Sequence, residues 1–286
     1  MELDYDFMIA DLPTVFAGLP NTLLLTAWSL LFAVTLALAL GTVILAGVPV
    51  LTQAVIALNT FIKGVPLAVQ LLFCYYGMPL LCRWLDGLGV YHHNPRHIPY
   101  FWAAVAALAC NFGAYLTDVV VSSVRAIGHG QIECAHALGM TRWQTIRRVI
   151  VPQGAVIALP GFTNYAIWLL KGTALASLIN VSELLIAAQL SAADGYEYLE
   201  AYIDAALIYW AVCAGLECAM TKLERRVGTY RRQDVRQTAA TSAHGADADD
   251  PSSAPSIPST EPISAVRGAT FAHGRAETPT PQPIGA

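Results

Sequence analysis

Two ionisable residues stand where a charge could do chemistry. Glu133 opens the run Glu133-Cys134-Ala135-His136-Ala137-Leu138-Gly139 in a polar stretch from Ser122 to Arg148, and Lys171 sits between long uncharged runs. An isolated Glu on a polar segment is either a solvated charge or half of an ion pair. A Lys in apolar surroundings either meets a solute, faces a bundle interior where carbonyls satisfy it, or snorkels to a surface, because a bare charge in hydrocarbon is costly. Asp118, toward the end of another apolar run, reads as a hydrogen-bonding group near a membrane edge. Gln70, Asn111, Tyr115 and Asn164 are polar groups on apolar faces. Such groups line a path or act as hydrogen-bonding glue between helices.

The residue types for catalysis are not assembled. No Gly-x-x-x-x-Gly-Lys-Ser/Thr phosphate loop occurs, so ATP hydrolysis is not expected of this chain alone, and neither His-Glu-x-x-His nor Gly-x-Ser-x-Gly is present. The cysteines (Cys74, Cys82, Cys110, Cys134, Cys213, Cys218) lack paired metal-ligand spacing and read as packing residues. His92, His93 and His97 are interrupted by Asn94-Pro95, which spoils the spacing for a shared metal.

The elements that hold these residues follow from composition. Of 286 residues 56% are hydrophobic and 13% charged, with net charge -4. That is too few charges to cover a soluble surface, and the mean hydropathy of +0.51 points to the bilayer as solvent. There is no basic footprint for nucleic acid, and the acidic N-terminus, with Glu2, Asp4, Asp6 and Asp11, is not a secretory leader. Residues 12–62 carry no charge. As one helix they would be about 75 Å long, so the chain must break, and Gly47-Val48-Pro49 is the expected place.

We therefore expect an all-α integral membrane protein with about five spans: Leu19 to Ala46, Leu58 to Leu81, Ile98 to Val121, Ala155 to Ile179 and Ala201 to Met220. Gly64-Val65-Pro66 should kink the second. Residues 1–18 form an external N-terminal segment and 19–232 the membrane domain. Val181 to Glu200 is an external stretch along the interface. Residues 233–286, rich in Pro, Ser, Thr, Ala and Gly, form a disordered cytoplasmic tail. Arg125, Arg142, Arg147, Arg148, Lys222, Arg225 and Arg226 flank one side and Arg83 and Arg96 the other, which sets the N-terminus outside and the C-terminus inside.

The long polar loop, about 122–152, reads as two short helices. The first ends at Gly139. Thr141-Arg142-Trp143-Gln144 fits a capping box that starts the second, which should stop at Pro152. Two short helices at a fixed angle make a knob suited to docking on a soluble partner.

Here the chain resembles the permease subunits of bacterial ATP-binding-cassette importers, in the polar amino-acid branch. Their Glu-Ala-Ala loop stands as Glu133-Cys134-Ala135, Gly139, Val149, Val151 and Pro152, spacing intact, with Cys134 for Ala and Val151 for Leu. The likeness extends through Lys63-Gly64-Val65-Pro66-Leu67, Ala114-Tyr115, Gly130-Gln131, Ile157-Ala158-Leu159-Pro160, Asn164 and Leu170-Lys171-Gly172-Thr173, covering roughly 15–230.

The resemblance implies a type I importer permease fold in the bacterial inner membrane, pairing with an identical or similar subunit around a substrate path. It implies ATPase subunits inside, which carry ATP and magnesium, and a solute-binding protein outside. It implies a coupling role for Glu133, Ala135, Gly139 and Pro152, and a path near Gln70, Asn111, Asn164 and Lys171. The substrate would be an amino acid, closest to histidine, lysine, arginine, ornithine or an opine. Gly172 stands where the family often has Asp. Asp118 and Val121 stand for its usual Glu and Arg, so a local ion pair is expected to be missing. The competing reading is an ATP-independent carrier or channel.

Overall fold

The computed structural model describes residues 3–89, 99–193 and 195–246, and among these every regular element is helical. Helix α1 (Tyr5–Phe16) is started by Asp4, whose carboxylate accepts the Phe7 N–H at 2.9 Å. Helix α2 (Leu19–Ala46) is the first expected span. It ends at Gly47, where φ of +70° takes the chain out of the helix, and Pro49 opens α3 (Pro49–Gly64). Helix α4 (Leu67–Gly87) follows, bent 102° from α3.

Helix α5 (Tyr100–Arg125) is the hub. Two-thirds of its most apolar stretch, 67%, is buried inside the protein, against 28% for α2 and 17% for the apolar part of α10, so α5 packs on protein while its neighbours turn outward. Its closest partner is α2. Ala33, Ala37 and Gly41 on α2 are small and buried, and a Cβ on Gly113 of α5 would fall 2.9 Å from Leu36 Cδ2 and 3.3 Å from the Ala33 carbonyl. Membrane helices approach this closely where side chains are missing, because packing replaces the hydrophobic drive that lipid cannot supply.

Then come α6 (His129–Ala137), α7 (Arg142–Thr145), a widened π-helical turn (Ile146–Ile150) and α8 (Val151–Gly172). A tight 3₁₀ turn (Thr173–Ile179), α9 (Leu184–Ser191) and α10 (Tyr198–Ala246) complete the order. Three helices (α2, α5 and the Tyr198–Val227 part of α10) are long and apolar enough to cross a membrane. The count is five if each bent pair is one span. Exposed side chains such as Phe73, Tyr76, Trp168 and Trp210 form the outward surface, which suits lipid or protein and not water.

Several expectations change. The second span is not one helix from Leu58 to Leu81, because Pro66 has no N–H to continue the ladder and the kink becomes an elbow between α3 and α4. Val181 to Glu200 does not lie along an interface: Leu184, Ala188 and Ala192 are fully buried against Val15, Ala201 and Ala205. Of the cysteines Cys82 and Cys213 are buried, whereas Cys110, Cys134 and Cys218 are exposed, and all six are free thiols. His92, His93, His97 and Ile98 lie outside the described residues, as do residues 247–286 of the expected tail. Helix continues past Gln233 to Ala246, there being no proline before Pro251. Residues up to 234 form one compact unit. Of a second unit, 235–286, only the helical part to Ala246 is described.

Candidate functional site

The knob is built by local rules. Helix α6 ends in a left-handed Gly139, φ +76°. The Met140 N–H donates back to the Ala135 carbonyl at 3.0 Å and the Gly139 N–H to the His136 carbonyl at 2.9 Å, a paired closure that satisfies the last carbonyls of the helix. Helix α7 starts with the expected capping box: Gln144 N–H donates to Thr141 Oγ1 at 3.3 Å, and Thr141 N–H donates to Gln144 Oε1 at 2.9 Å.

Ala135, Ile127 and Thr145 are buried. Gln153 Nε2 donates to Gln131 Oε1 at 2.8 Å, tying the first turn of α8 to α6. Facing out are Leu138, 79% exposed, Trp143, 69% exposed, and the Glu133 carboxylate. The knob thus presents two apolar anchors and a carboxylate together with the exposed Arg142, Arg147 and Arg148, a combination suited to a pocket on another protein.

Pro152 does not end the second helix. Helical backbone runs from α7 through the π turn into α8, and Pro152 occupies the second position of α8. A proline within a helix removes a donor and crowds the preceding turn. Here the turn widens instead of breaking, with Val151 N–H reaching back to Ile146, so the proline is accommodated.

A second constellation surrounds the elbow. Lys63, in the last turn of α3, places Nζ 2.6 Å from Asp118 Oδ2 on α5. The local pair with position 121 is absent, as expected from Val121, and Asp118 is engaged instead by a lysine distant in sequence. Gln70 Nε2 donates to the Ile62 carbonyl at 2.7 Å and the Val65 carbonyl at 3.0 Å. These carbonyls belong to the end of α3, where the Val65 N–H reaches Ile62 only at 3.4 Å and Pro66 has no N–H to give, so Gln70 closes the elbow and its amide nitrogen is not free for a solute. Asn59, one turn before Lys63, is buried, with neither amide atom partnered.

The remaining residues expected along a path separate into two sets. Asn111 is buried in α5, while Asn164 and Lys171 are exposed on α8. Spaced seven apart, with Trp168 between, they share one stripe of α8. Tyr165 beside them stacks on Tyr115, ring centroids 5.4 Å apart. An amide, an indole and an ammonium on one membrane helix face a cavity or another subunit at far lower cost than lipid. Among the described residues no group of three His, Cys, Asp or Glu is placed to hold a metal. Reading the chain for motifs missed the Lys63–Asp118 pair, the Gln70 clamp and a set of buried acids (Asp11, Glu183, Glu200 and Asp204). The only signal for the last was the abundance of acids at both ends of the outer segments.

An all-helical multi-pass bundle, closely packed on one hub helix and carrying a rigid helical knob in its long polar loop, belongs to the class of membrane transport subunits. Residues 7–229 match the family described as binding-protein-dependent transport system inner membrane component, and this chain is a member of it. It is 34% identical over 212 residues to the probable amino-acid ABC transporter permease protein PatM of Vibrio harveyi, covering 74% of this chain and 91% of that one. It is 33% identical over 229 residues to the L-cystine transport system permease protein TcyL of Bacillus subtilis, covering 79% and 93%. Among solved structures, an amino acid ABC transporter with histidines superposes at a TM-score of 0.67 with 31% identity, covering 79% of this chain and all of that one, 100%. The inward-facing MetNI methionine ABC transporter, TM-score 0.61 at 19% identity, shares the fold. The importer-permease fold expected from the resemblance is the fold found.

Proposed function

We propose that this chain forms the membrane half of an ATP-driven importer of an amino acid, working beside an identical or similar subunit. The observation that carries this reading is the knob: a pre-shaped helix pair with Glu133, Leu138 and Trp143 turned outward on a membrane bundle. In that role the knob seats in a cleft of a separate ATPase, which holds ATP and magnesium, and Glu133 pairs with a basic group there. Gly139 shapes the turn, Ala135 packs the base and Pro152 stands where force enters α8. Arg125, Arg142, Arg147, Arg148, Lys222, Arg225 and Arg226 put the knob and the C-terminal side in the cytoplasm, with the N-terminus outside facing a solute-binding protein. Asn164 and Lys171 on α8 and the buried Asn111 on α5 belong to the path, where Lys171 suits the carboxylate common to amino acids.

The experiment is reconstitution of the chain with its candidate ATPase and binding protein, reading substrate-stimulated ATP hydrolysis for wild type and Glu133→Arg. Stimulation that requires this chain and collapses in the variant, with the complex still inserted, is the expected result. Solute crossing without the ATPase, together with a normal variant, would make the chain a carrier.

A further inference from the structure

Where α10 leaves its apolar stretch, its charges are sorted by side. Glu217 and Glu224, seven residues apart, stand on one stripe of the helix. Glu224 is bonded to α8: Thr163 Oγ1 donates to its Oε1 at 2.8 Å. Thr163 is itself buried, 6% exposed, so this bond fixes the rotation of α10 at this level. Each residue turns a helix by about 100°, which sets Lys222 and Arg226 about 160° from Glu224, on the side turned away from α8. Both are exposed, and among the described residues neither forms an ion pair.

The face they close is open along its length. Ala211, Gly215, Cys218 and Ala219 precede them on the same side of α10 and are exposed, and a Cβ built on Gly215 would meet no protein atom within 4 Å. The apolar part of α10, Tyr198–Val227, crosses the membrane with only 17% of its most apolar stretch buried in protein, so this open side is left to lipid. Two cations one turn apart at the end of such a face stand at the depth of phospholipid phosphates, where the long stems stay with the hydrocarbon and the charged heads reach outward. A guanidinium grips a phosphate through paired N–H groups and an ammonium adds a second charge beside it.

We propose that Lys222 and Arg226 form a binding site for the phosphate of an anionic phospholipid, whose acyl chains run along the open face beside Gly215. The charge is complementary, the acids of this section are turned to α8, and a free anion would leave the apolar face above the cations uncovered. A lipid held there braces α10 from the side opposite its bond to Thr163. The site requires only that α10 spans the bilayer, so it stands apart from the proposed importer role.

The test titrates the full chain, purified in neutral detergent, with phosphatidylglycerol and with phosphatidylcholine of the same acyl chains, and reads bound lipid by native mass spectrometry. Wild type should prefer phosphatidylglycerol. Lys222→Gln and Arg226→Gln should each lower that preference roughly fivefold, and the double variant should abolish it. Lys222→Arg should keep the preference, and high salt should weaken it. Equal binding of the two lipids by wild type, or a double variant that still prefers phosphatidylglycerol as wild type does, overturns the proposal. Competition by glycerol phosphate at the same concentration would show a site for free anions and overturn it too. A nitroxide on Cys218, one turn before Lys222, reports the remaining occupant in nanodiscs, with Cys110 and Cys134 changed to serine. Spin–spin broadening between two copies would place a second subunit on this face and likewise refute the lipid site.

Discussion

Replacing Gln70 with leucine keeps the side-chain volume and removes the amide that closes the elbow. In the wild type its Nε2 lies 2.7 Å from the Ile62 carbonyl and 3.0 Å from the Val65 carbonyl. Each bond contributes a net of about 0.5–1.5 kcal/mol, and the variant strands the Val65 carbonyl while the Ile62 carbonyl keeps only the 3.4 Å bond from the Val65 N–H, so the cost is about 2 kcal/mol. For a chain of this length that corresponds to a fall of roughly 4–8 °C in the unfolding midpoint. Gln70→Glu should be worse, since a carboxylate would face two carbonyl oxygens. The assay pairs thermal unfolding in nanodiscs with the substrate dependence of uptake in vesicles: a clamp predicts a lower midpoint with an unchanged KM in whatever folds. A normal midpoint with a raised KM would refute this and return Gln70 to the path.

Lys63→Met and Asp118→Asn each leave a lone charge at the elbow, while the double variant leaves none; a double-mutant cycle on unfolding should give a coupling of about 1 kcal/mol, reduced because Asp118 is 61% exposed. A coupling indistinguishable from zero would mean that the pair contributes nothing to the fold. At Gly139 a Cβ would meet no atom within 4 Å, so Gly139→Ala tests the backbone alone. With φ at +76° it should cost about 1–2 kcal/mol locally and lower coupled ATP hydrolysis. Gly139→Asn, which tolerates that conformation, should lie between alanine and wild type, and equal activity in all three would remove the turn from the mechanism.

Local signals carried much of the molecule. Gly47 and Pro49 mark a break because one adopts a left-handed turn and the other starts a helix, and both do so in the structure. The Thr141–Gln144 box and the stop at Gly139 were readable for the same reason: each motif lies within a few residues of chain. Pro152 misled because a proline stops a helix only if the turn before it cannot widen, and nothing local tells the two cases apart. The Lys63–Asp118 pair was invisible for a different reason. It joins residues on separate helices, and replacing a neighbour's charge at Val121 says nothing of a lysine on α3. Gln70 looked like a path residue because an amide on an apolar helix is the same letter whether it faces solute or carbonyl. The buried acids needed the docking of α1 and α9 onto α10, which a transmembrane pattern does not encode.

The unbroken helical run from Arg142 to Gly172 has a mechanical meaning. It is a lever about 45 Å long, with its short arm in the knob and its long arm crossing the bundle. A tilt of only about ten degrees about the joint between the arms would swing the end of the long arm, about 30 Å away, by roughly 5 Å, on the scale of a solute's width. The widened turn before Pro152 is a compliant joint between those arms. Its stiffness would set how much of each stroke reaches Lys171 and how much is absorbed on the way.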